Sequence, residues 1–442
     1  MEITNLSKDK NNLFERVFKL EKHNTDIKTE VMAGITTFMT MAYILVVNPM
    51  ILSQAGMDQG SVFVATALSA AIATFFMGIL ANYPIALAPG MGLNVFFANT
   101  IVLQMGYSWQ FALMAVFIEG LIFILLTVTR LREKIIECIP MNLKFAVTAG
   151  VGLFIAFVGL QNASIVVDGA LGNMHDPLVI LTLFGLLVTG VLVAKNKKGA
   201  LLISIVVISV IGMGLGLVAL PQGIMSLNVP SLKPVFLQAF SVDVNQIFSL
   251  DMVIVVFTLL FVDLFDTVGC LVGVAEKGNL LDENGNIPRA KEAMLADAIG
   301  TTTGALLGTS TVTSFIESAS GIGEGGKTGL TAITTGVLFL LSLFFAPLFT
   351  LIPSAATAPA LVIVGLFMMS SITTMDFDDM TESIPAFLTI IMMPFAYSIA
   401  EGIVFGMLSY VIIKLLSGKH KDISFVMWIL GLVFIARILF MM

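Results

Sequence analysis

Pro84-Ile-Ala-Leu-Ala-Pro89-Gly90-Met-Gly92-Leu-Asn94 cannot run on as a spanning helix, because two prolines and two glycines disfavour it. Asn94 can cap a half-helix running on to Thr100. Gly308-Thr-Ser-Thr-Val-Thr-Ser314-Phe-Ile-Glu317-Ser-Ala-Ser-Gly321 interrupts the second half of the chain in the same way, hydroxyl-rich and β-branched before a helix-capable turn. Extended backbone at membrane depth is tolerated only where protein buries it or where it lines a cavity. The two stretches therefore predict short strands that satisfy each other's backbone groups by pairing. Each is followed by a half-helix whose positive N-terminal end suits a polar ligand in a shared pocket.

The rest of the chain supplies the membrane context. It is 57% hydrophobic and 12% charged, against roughly a quarter charged in an ordinary soluble domain. Runs such as Val31 to Leu52 and Leu178 to Ala194 reach the ~17–25 residues that cross ~30 Å of hydrocarbon. Spans are expected at 29–52, 61–82, 108–129, 140–161, 177–194 and 199–218, with the first broken segment at 84–100. The second half reads 249–275, 291–308, a broken segment at 309–322, 327–349 and 354–372. The tail 383–442 holds a short run at 383–397 and fuller ones at 400–417 and 423–441. The halves resemble each other: Cys138-Ile139-Pro140 opens a run containing Gly150-Val151-Gly152-Leu153-Phe154, and Leu351-Ile352-Pro353 opens one containing Val364-Gly365-Leu366-Phe367. The broken segments fall at a similar offset. The expected fold is all-α and polytopic, with about 14 spans in a 7+7 inverted repeat and the short strands antiparallel at the midplane.

A formal net charge of −7 describes an acidic chain that repels nucleic acid, but in a membrane protein the placement of Lys and Arg says more. Lys8, Lys10, Arg16, Lys19, Lys22 and Lys28 precede the first span. Later basic linkers are Arg130/Arg132/Lys134, Lys195/Lys197/Lys198 and Lys277/Arg289/Lys291, whereas 53–60 and 162–176 carry none and 218–250 carries only Lys233. An even number of spans separates successive basic linkers, which puts them and the N-terminus in the cytoplasm. The first span lacks a cleavage pattern and is expected to stay, and amphipathic Leu13 to Leu20 suits a short helix on the inner membrane face. Cys138 and Cys270 read as apolar filler. His23, His175 and His420 fall in aqueous connections, which leaves an intramembrane His base or His-bound metal without residues. Neither an enzyme nor a cofactor is expected.

Carboxylates inside the apolar runs are the sharper signal. Asp263 and Asp266 lie three residues apart on one helix face in Val253-Ile-Val-Val-Phe-Thr-Leu-Leu-Phe-Val-Asp263-Leu-Phe-Asp266-Thr267-Val-Gly269, and Glu317 lies in the second broken segment. A charge at the bilayer centre costs roughly 2.5–3.5 kcal/mol on insertion scales, so stability alone does not keep three. Burial and mutual repulsion suit an acid that takes up or releases a proton as substrate comes and goes. Glu119 and Asp297 read as structural partners of hydroxyls or backbone, and Glu401 as a residue near a membrane boundary. Thr36, Thr37, Thr40 and Tyr43 of the first span either line the pocket or, for the threonines, bond back to their own helix. Gly321 to Thr328 fits the letters of a phosphate loop but lacks the surrounding strand–helix unit, and reads as a connection between spans.

Together with Thr29-Glu-Val-Met-Ala-Gly34-Ile-Thr-Thr-Phe-Met-Thr-Met-Ala-Tyr43, the motifs Ala88-Pro-Gly-Met-Gly-Leu-Asn94, Val262-Asp-Leu-Phe-Asp-Thr267 and Thr313-Ser-Phe-Ile-Glu-Ser-Ala-Ser-Gly321 resemble the AzgA-type guanine/hypoxanthine/adenine permeases. These belong to the nucleobase-cation symporter-2 superfamily, which also includes uracil and xanthine transporters. The resemblance runs the length of the chain and implies core and gate domains built from both repeats. On that division 1–28 is a cytoplasmic segment, 29–130 and 249–350 form the core, 131–218 and 351–442 form the gate, and 219–248 is an extracytoplasmic connection. It further implies a proton symporter in the plasma membrane that imports a purine nucleobase by an elevator-like motion. The alternatives are a xanthine/uracil-type carrier or an anion transporter of the same architecture.

Carried onto this sequence, the acidic position of the eighth span is Asp263, followed by Asp266; that of the tenth is Glu317, and the third-span amide is Asn94. Uracil carriers have Glu and His in the eighth span where this chain has Asp263 and Thr267. A purine offers ring N–H donors to carboxylates and acceptors to amide or backbone N–H groups. The substrate-binding candidates are accordingly Asp263, Glu317, Asn94 and Gly92, the N–H groups of Phe315 and Ile316, and Thr267. Phe315 or Phe265 is a candidate to stack on the base. Proton coupling falls to Asp263, Asp266 and Glu317. Lipid and a second copy of the chain, as a homodimer, are the other partners considered.

Overall fold

Helices begin where the sequence supplies a capping side chain: Asp58 accepts from the N–H of Ser61, Ser108 from Phe111, Asp176 from Leu178 and Ser398 from Glu401. The computed structural model describes residues 13–129, 140–167, 169–218, 223, 225–277, 287–349 and 352–441. Among these, eight helices are long and apolar enough to cross a membrane, including Ile27–Gln54, Met141–Asn162 and Ile399–Leu416. The first is interrupted at Ala42 and Tyr43, between Ile27–Met41 and Ile44–Gln54. The long Leu250–Lys277 helix carries the Asp263/Asp266 pair. The tail resolves into Met380–Phe395, Ile399–Leu416 and Phe425–Met441, the last packed on the one before it. Arg130, Arg132, Lys134 and Cys138 lie outside the described residues.

Both interrupted stretches form strands. β1 (Leu87–Pro89) pairs antiparallel with β4 (Val312–Ser314), with Leu87 opposite Ser314, Ala88 opposite Thr313 and Pro89 opposite Val312. The pairing runs on through Gly90 N–H to the Thr311 carbonyl at 2.9 Å and Phe315 N–H to the Ala86 carbonyl at 3.0 Å. Gly90 has no Cβ because one would stand 2.6 Å from Thr313 Cγ2. A two-stranded ribbon leaves outward backbone groups that must be paired in a dry interior, and hydroxyls pair them. Thr74 Oγ1 donates to the Leu87 carbonyl at 3.1 Å and accepts from its N–H at 2.9 Å, Thr301 Oγ1 donates to the Val312 carbonyl at 2.9 Å, and Ser318 Oγ accepts from Ala86 N–H at 3.0 Å. A second ribbon, β2 (Val166–Val167) with β3 (Ala170–Leu171), lies in a connection.

Helix contacts fall into two groups. Ile27–Met41, Gln59–Phe76, Trp109–Val128, Ala290–Leu307 and Gly329–Ser342 pack around the β1–β4 ribbon, whereas Met141–Asn162, Pro177–Ala194, Ala200–Gly214, Ser354–Met369, Met380–Phe395 and Ile399–Leu416 pack on one another. Within the second group, a Cβ on Gly152 would lie 2.6 Å from the Gly365 carbonyl, and Gly365 faces the Gly152 carbonyl in return. Absent side chains let the two backbones touch there.

The ends of the bundle differ in chemistry. One gathers Lys198 with Glu324, Lys327 Nζ with the Asn24 carbonyl at 3.2 Å, Asn82 with the Phe18 carbonyl at 3.0 Å, and Tyr83 with the Pro288 carbonyl. The other gathers Ser61 with the Ser231 carbonyl at 2.8 Å, Leu237 N–H with the Leu306 carbonyl at 2.8 Å, and Tyr107 with Asp251. Near the first end, the amphipathic segment forms a helix at Leu13–Phe18, with Phe18 and Leu20 buried against Leu330 and Ile333. Part of the apolar face expected to meet lipid is thus taken up by protein.

Candidate functional site

Glu317 follows β4 and immediately precedes the short Ser318–Gly323 helix. The break in the first span faces it: the Tyr43 hydroxyl donates to Glu317 Oε1 at 2.7 Å, and Thr40 Oγ1 reaches the Glu317 carbonyl at 3.4 Å while bonding back to the Thr37 carbonyl at 2.8 Å. Tyr43 is buried and Glu317 half-buried. Asp266, also half-buried, lies within electrostatic reach of Asp263 and Glu317. Thr40, Ile316 and Glu317 line a cavity of about 960 Å³ whose opposite wall comes from the second helix group, including Lys198, Phe367 and Thr373. Ile316 is 46% exposed, and its N–H meets no partner among the described residues.

Other predicted residues sit deeper. Asp263 is fully buried and accepts from Thr267 Oγ1 at 3.2 Å; the same hydroxyl lies 3.0 Å from Asp297 Oδ1 and 2.9 Å from Thr313 Oγ1. One hydroxyl carries one proton, so Thr267 can donate to only one of the two carboxylates. Asn94 is buried with its amide oxygen on Ser310, and its Nδ2 has no partner among the described residues. Gly92 turns toward Val151 and Ile155 of Met141–Asn162, across the seam between the helix groups, where a Cβ would collide. Phe315 is buried, and its N–H, expected to serve the ligand, is spent on Ala86. The Phe265 side chain lies outside the described residues.

The chain also matches a family model described as a permease family over residues 28–405. The chain belongs to that family. This permease is 47% identical over 438 residues to guanine/hypoxanthine permease PbuG of Bacillus subtilis, covering 96% of this chain and 99% of that one. It is 45% identical over 433 residues to adenine permease AdeP of Escherichia coli, covering 97% of this chain and 96% of that one. Its fold is similar to the transmembrane domain of the cyanobacterial bicarbonate transporter BicA, with a TM-score of 0.63 at 15% identity over 86% of this chain and 97% of that chain. Membership in the family makes the permease a transporter and not an enzyme.

Two features of the permease went unread or half-read in its sequence. Glu30 is fully buried and accepts from the N–H groups of Lys327 at 2.9 Å, Thr328 at 3.3 Å and Thr331 at 3.2 Å, and from Thr331 Oγ1 at 2.6 Å. The phosphate-loop letters at 321–328 therefore do end in an anion-holding turn, and the anion is the protein's own carboxylate. Lys414 is buried inside Ile399–Leu416 and pairs with Glu382 at 2.7 Å. Asp379 beside it is held well below the usual carboxylate range by hydrogen bonds from Lys419 and Thr381. Glu119 takes a hydrogen bond from Thr311 Oγ1 at 2.7 Å, in line with its reading as a structural partner.

Proposed function

We propose that this permease is a proton-coupled symporter that imports a purine nucleobase such as hypoxanthine, guanine or adenine. The observation that carries the reading is Glu317: a carboxylate oriented by Tyr43 at the wall of a cavity between two helix groups. Its Oε2 can accept a ring N–H, while the neighbouring Ile316 N–H can donate to a ring nitrogen or carbonyl. The near full-length identity to adenine and guanine/hypoxanthine permeases supports the substrate class. The same identity disfavours the anion-transporter alternative, since a cavity lined by Lys197 and Lys198 as well as Glu317 and Glu324 does not choose by charge.

Proton coupling is assigned to Asp263, Asp266 and Glu317. The burial of two carboxylates, Asp263 and Asp297, about the one Thr267 hydroxyl supports it. With ~100 mV across the membrane, one proton moving inward supplies about 2.3 kcal/mol, or roughly fifty-fold accumulation. We further assign the ribbon-centred helix group to a core (29–130 and 249–350) and the other to a gate (131–218 and 351–442). Alternation comes from the core moving against the gate. A 7+7 inverted repeat is supported by the mutual contact of Gly152 and Gly365, which occupy corresponding places in the two repeat motifs. The gathering of Lys198, Arg289 and Lys327 toward the N-terminal segment supports a cytoplasmic N-terminus.

The test is uptake of labelled hypoxanthine into proteoliposomes under an imposed pH gradient, with guanine, adenine, xanthine and uracil as competitors. Purines should compete and a protonophore should stop accumulation. Uptake that no purine inhibits would sink the substrate assignment, and accumulation that survives protonophore on a sodium gradient would replace the proton.

A further inference from the structure

A second cavity, of about 440 Å³, lies on the same seam toward the other end of the bundle. Its walls come from Phe96, Thr100 and Gln104 of the segment after Asn94, from Thr258 of Leu250–Lys277, and from Ser398 and Glu401 at the start of Ile399–Leu416. It is the size of an ordinary small-molecule site, and none of its lining residues is basic.

Thr100 makes it more than a packing gap. Threonines in helices usually return their hydroxyl to a carbonyl one turn back, and Thr258 across the cavity does so, to Ile254 at 2.9 Å. Phe96–Gln104 is wound as a π-helix, a widened turn that recurs at functional positions. The Thr100 hydroxyl there is buried and meets no partner among the described residues. Next to it the Asn99 amide donates to the Tyr397 hydroxyl at 3.1 Å, a bond that crosses the seam. The cavity is thus lined by the Glu401 carboxylate and the Gln104 amide, and the unspent Thr100 hydroxyl lies buried in its wall.

We propose that this cavity is a second, weaker site for the same neutral heterocycle, reached from the end opposite the basic linkers. Glu401 accepts a ring N–H, and the Thr100 hydroxyl, turned from the wall into the cavity, donates to a ring nitrogen or carbonyl. The inference rests on the purine reading of the Glu317 site, and its test separates the two. Equilibrium binding of labelled hypoxanthine to the full-length permease in nanodiscs should resolve two sites. Glu401→Gln and Thr100→Val should each weaken the lower-affinity site at least about ten-fold, with tight binding kept as the sign of an intact fold. Glu317→Gln should remove the tighter site and spare the weaker. A single site in the unaltered protein, or a weak site indifferent to both Glu401→Gln and Thr100→Val, overturns the proposal and leaves the Glu317 reading standing. No binding at all overturns both.

Discussion

The two interrupted segments begin alike and end differently. Each gives three residues to the β1–β4 ribbon, but Met91 to Ile101 then stays wholly buried, with Asn94 on Ser310 and Gly92 on Val151. The second segment turns out of the ribbon at Ile316 and Glu317 and opens onto the larger cavity. The same device is therefore enclosed by protein at Asn94 in one half and reaches the larger cavity at Glu317 in the other. What differs is the helix that follows: Ser318–Gly323 is only six residues long, whereas the helical stretch of the first segment runs on to Gln104.

The hardest blow to that contrast comes from changing one side chain in each segment. Glu317→Gln is expected to cut hypoxanthine uptake at least about a hundred-fold (~2.7 kcal/mol) with normal membrane expression, while Ser310→Ala, which takes the partner from Asn94, costs less than about ten-fold. Equal losses would mean that Asn94 also touches the substrate held at Glu317. Next in size is Thr267→Val, which strips the shared donor from Asp263, Asp297 and β4. The loss leaves buried polar groups underpaired, at about 1–3 kcal/mol, read as a lower midpoint of thermal unfolding in detergent. Unchanged stability would show that other donors hold the two acids.

Tyr43→Phe tests whether Glu317 must be oriented. Losing a hydrogen bond to a carboxylate is worth about 1.5–3 kcal/mol, and a KM for hypoxanthine raised roughly ten-fold with little change in kcat is expected; a fall in kcat alone would tie Tyr43 to the motion instead. The smallest effect belongs to Lys198 and Glu324, an ion pair at the cavity mouth that joins the two helix groups and is half exposed. Exposed pairs contribute about 0–1 kcal/mol and are screened by salt. Glu324→Gln should therefore shift transport less than about five-fold, with the shift gone at high ionic strength.

Much of the candidate site was legible because a carboxylate in an apolar run has no cheap structural reason to be there. That argument picked out Asp263, Asp266 and Glu317, but it could not say which one faces the cavity. Asp263 and Thr267 face Asp297, a partner from another helix, and no spacing rule connects residues 30 positions apart. Glu30 escaped for the opposite reason. Placed at the start of a span it passes for a boundary charge, and only the fold brings the turn at 327–331 onto its carboxylate.

By itself the sequence determined that the chain lives in a membrane, where its helices run and where two of them must break. Hydrophobic length, proline, glycine and capping residues act over a few positions and need no partner to be read. Only the tertiary structure decided which broken segment opens to the cavity, which hydroxyls pair the ribbon's outer edges, and that Thr100 is left with an unspent donor. Those outcomes depend on distances between residues far apart in the chain, set by how whole helices pack.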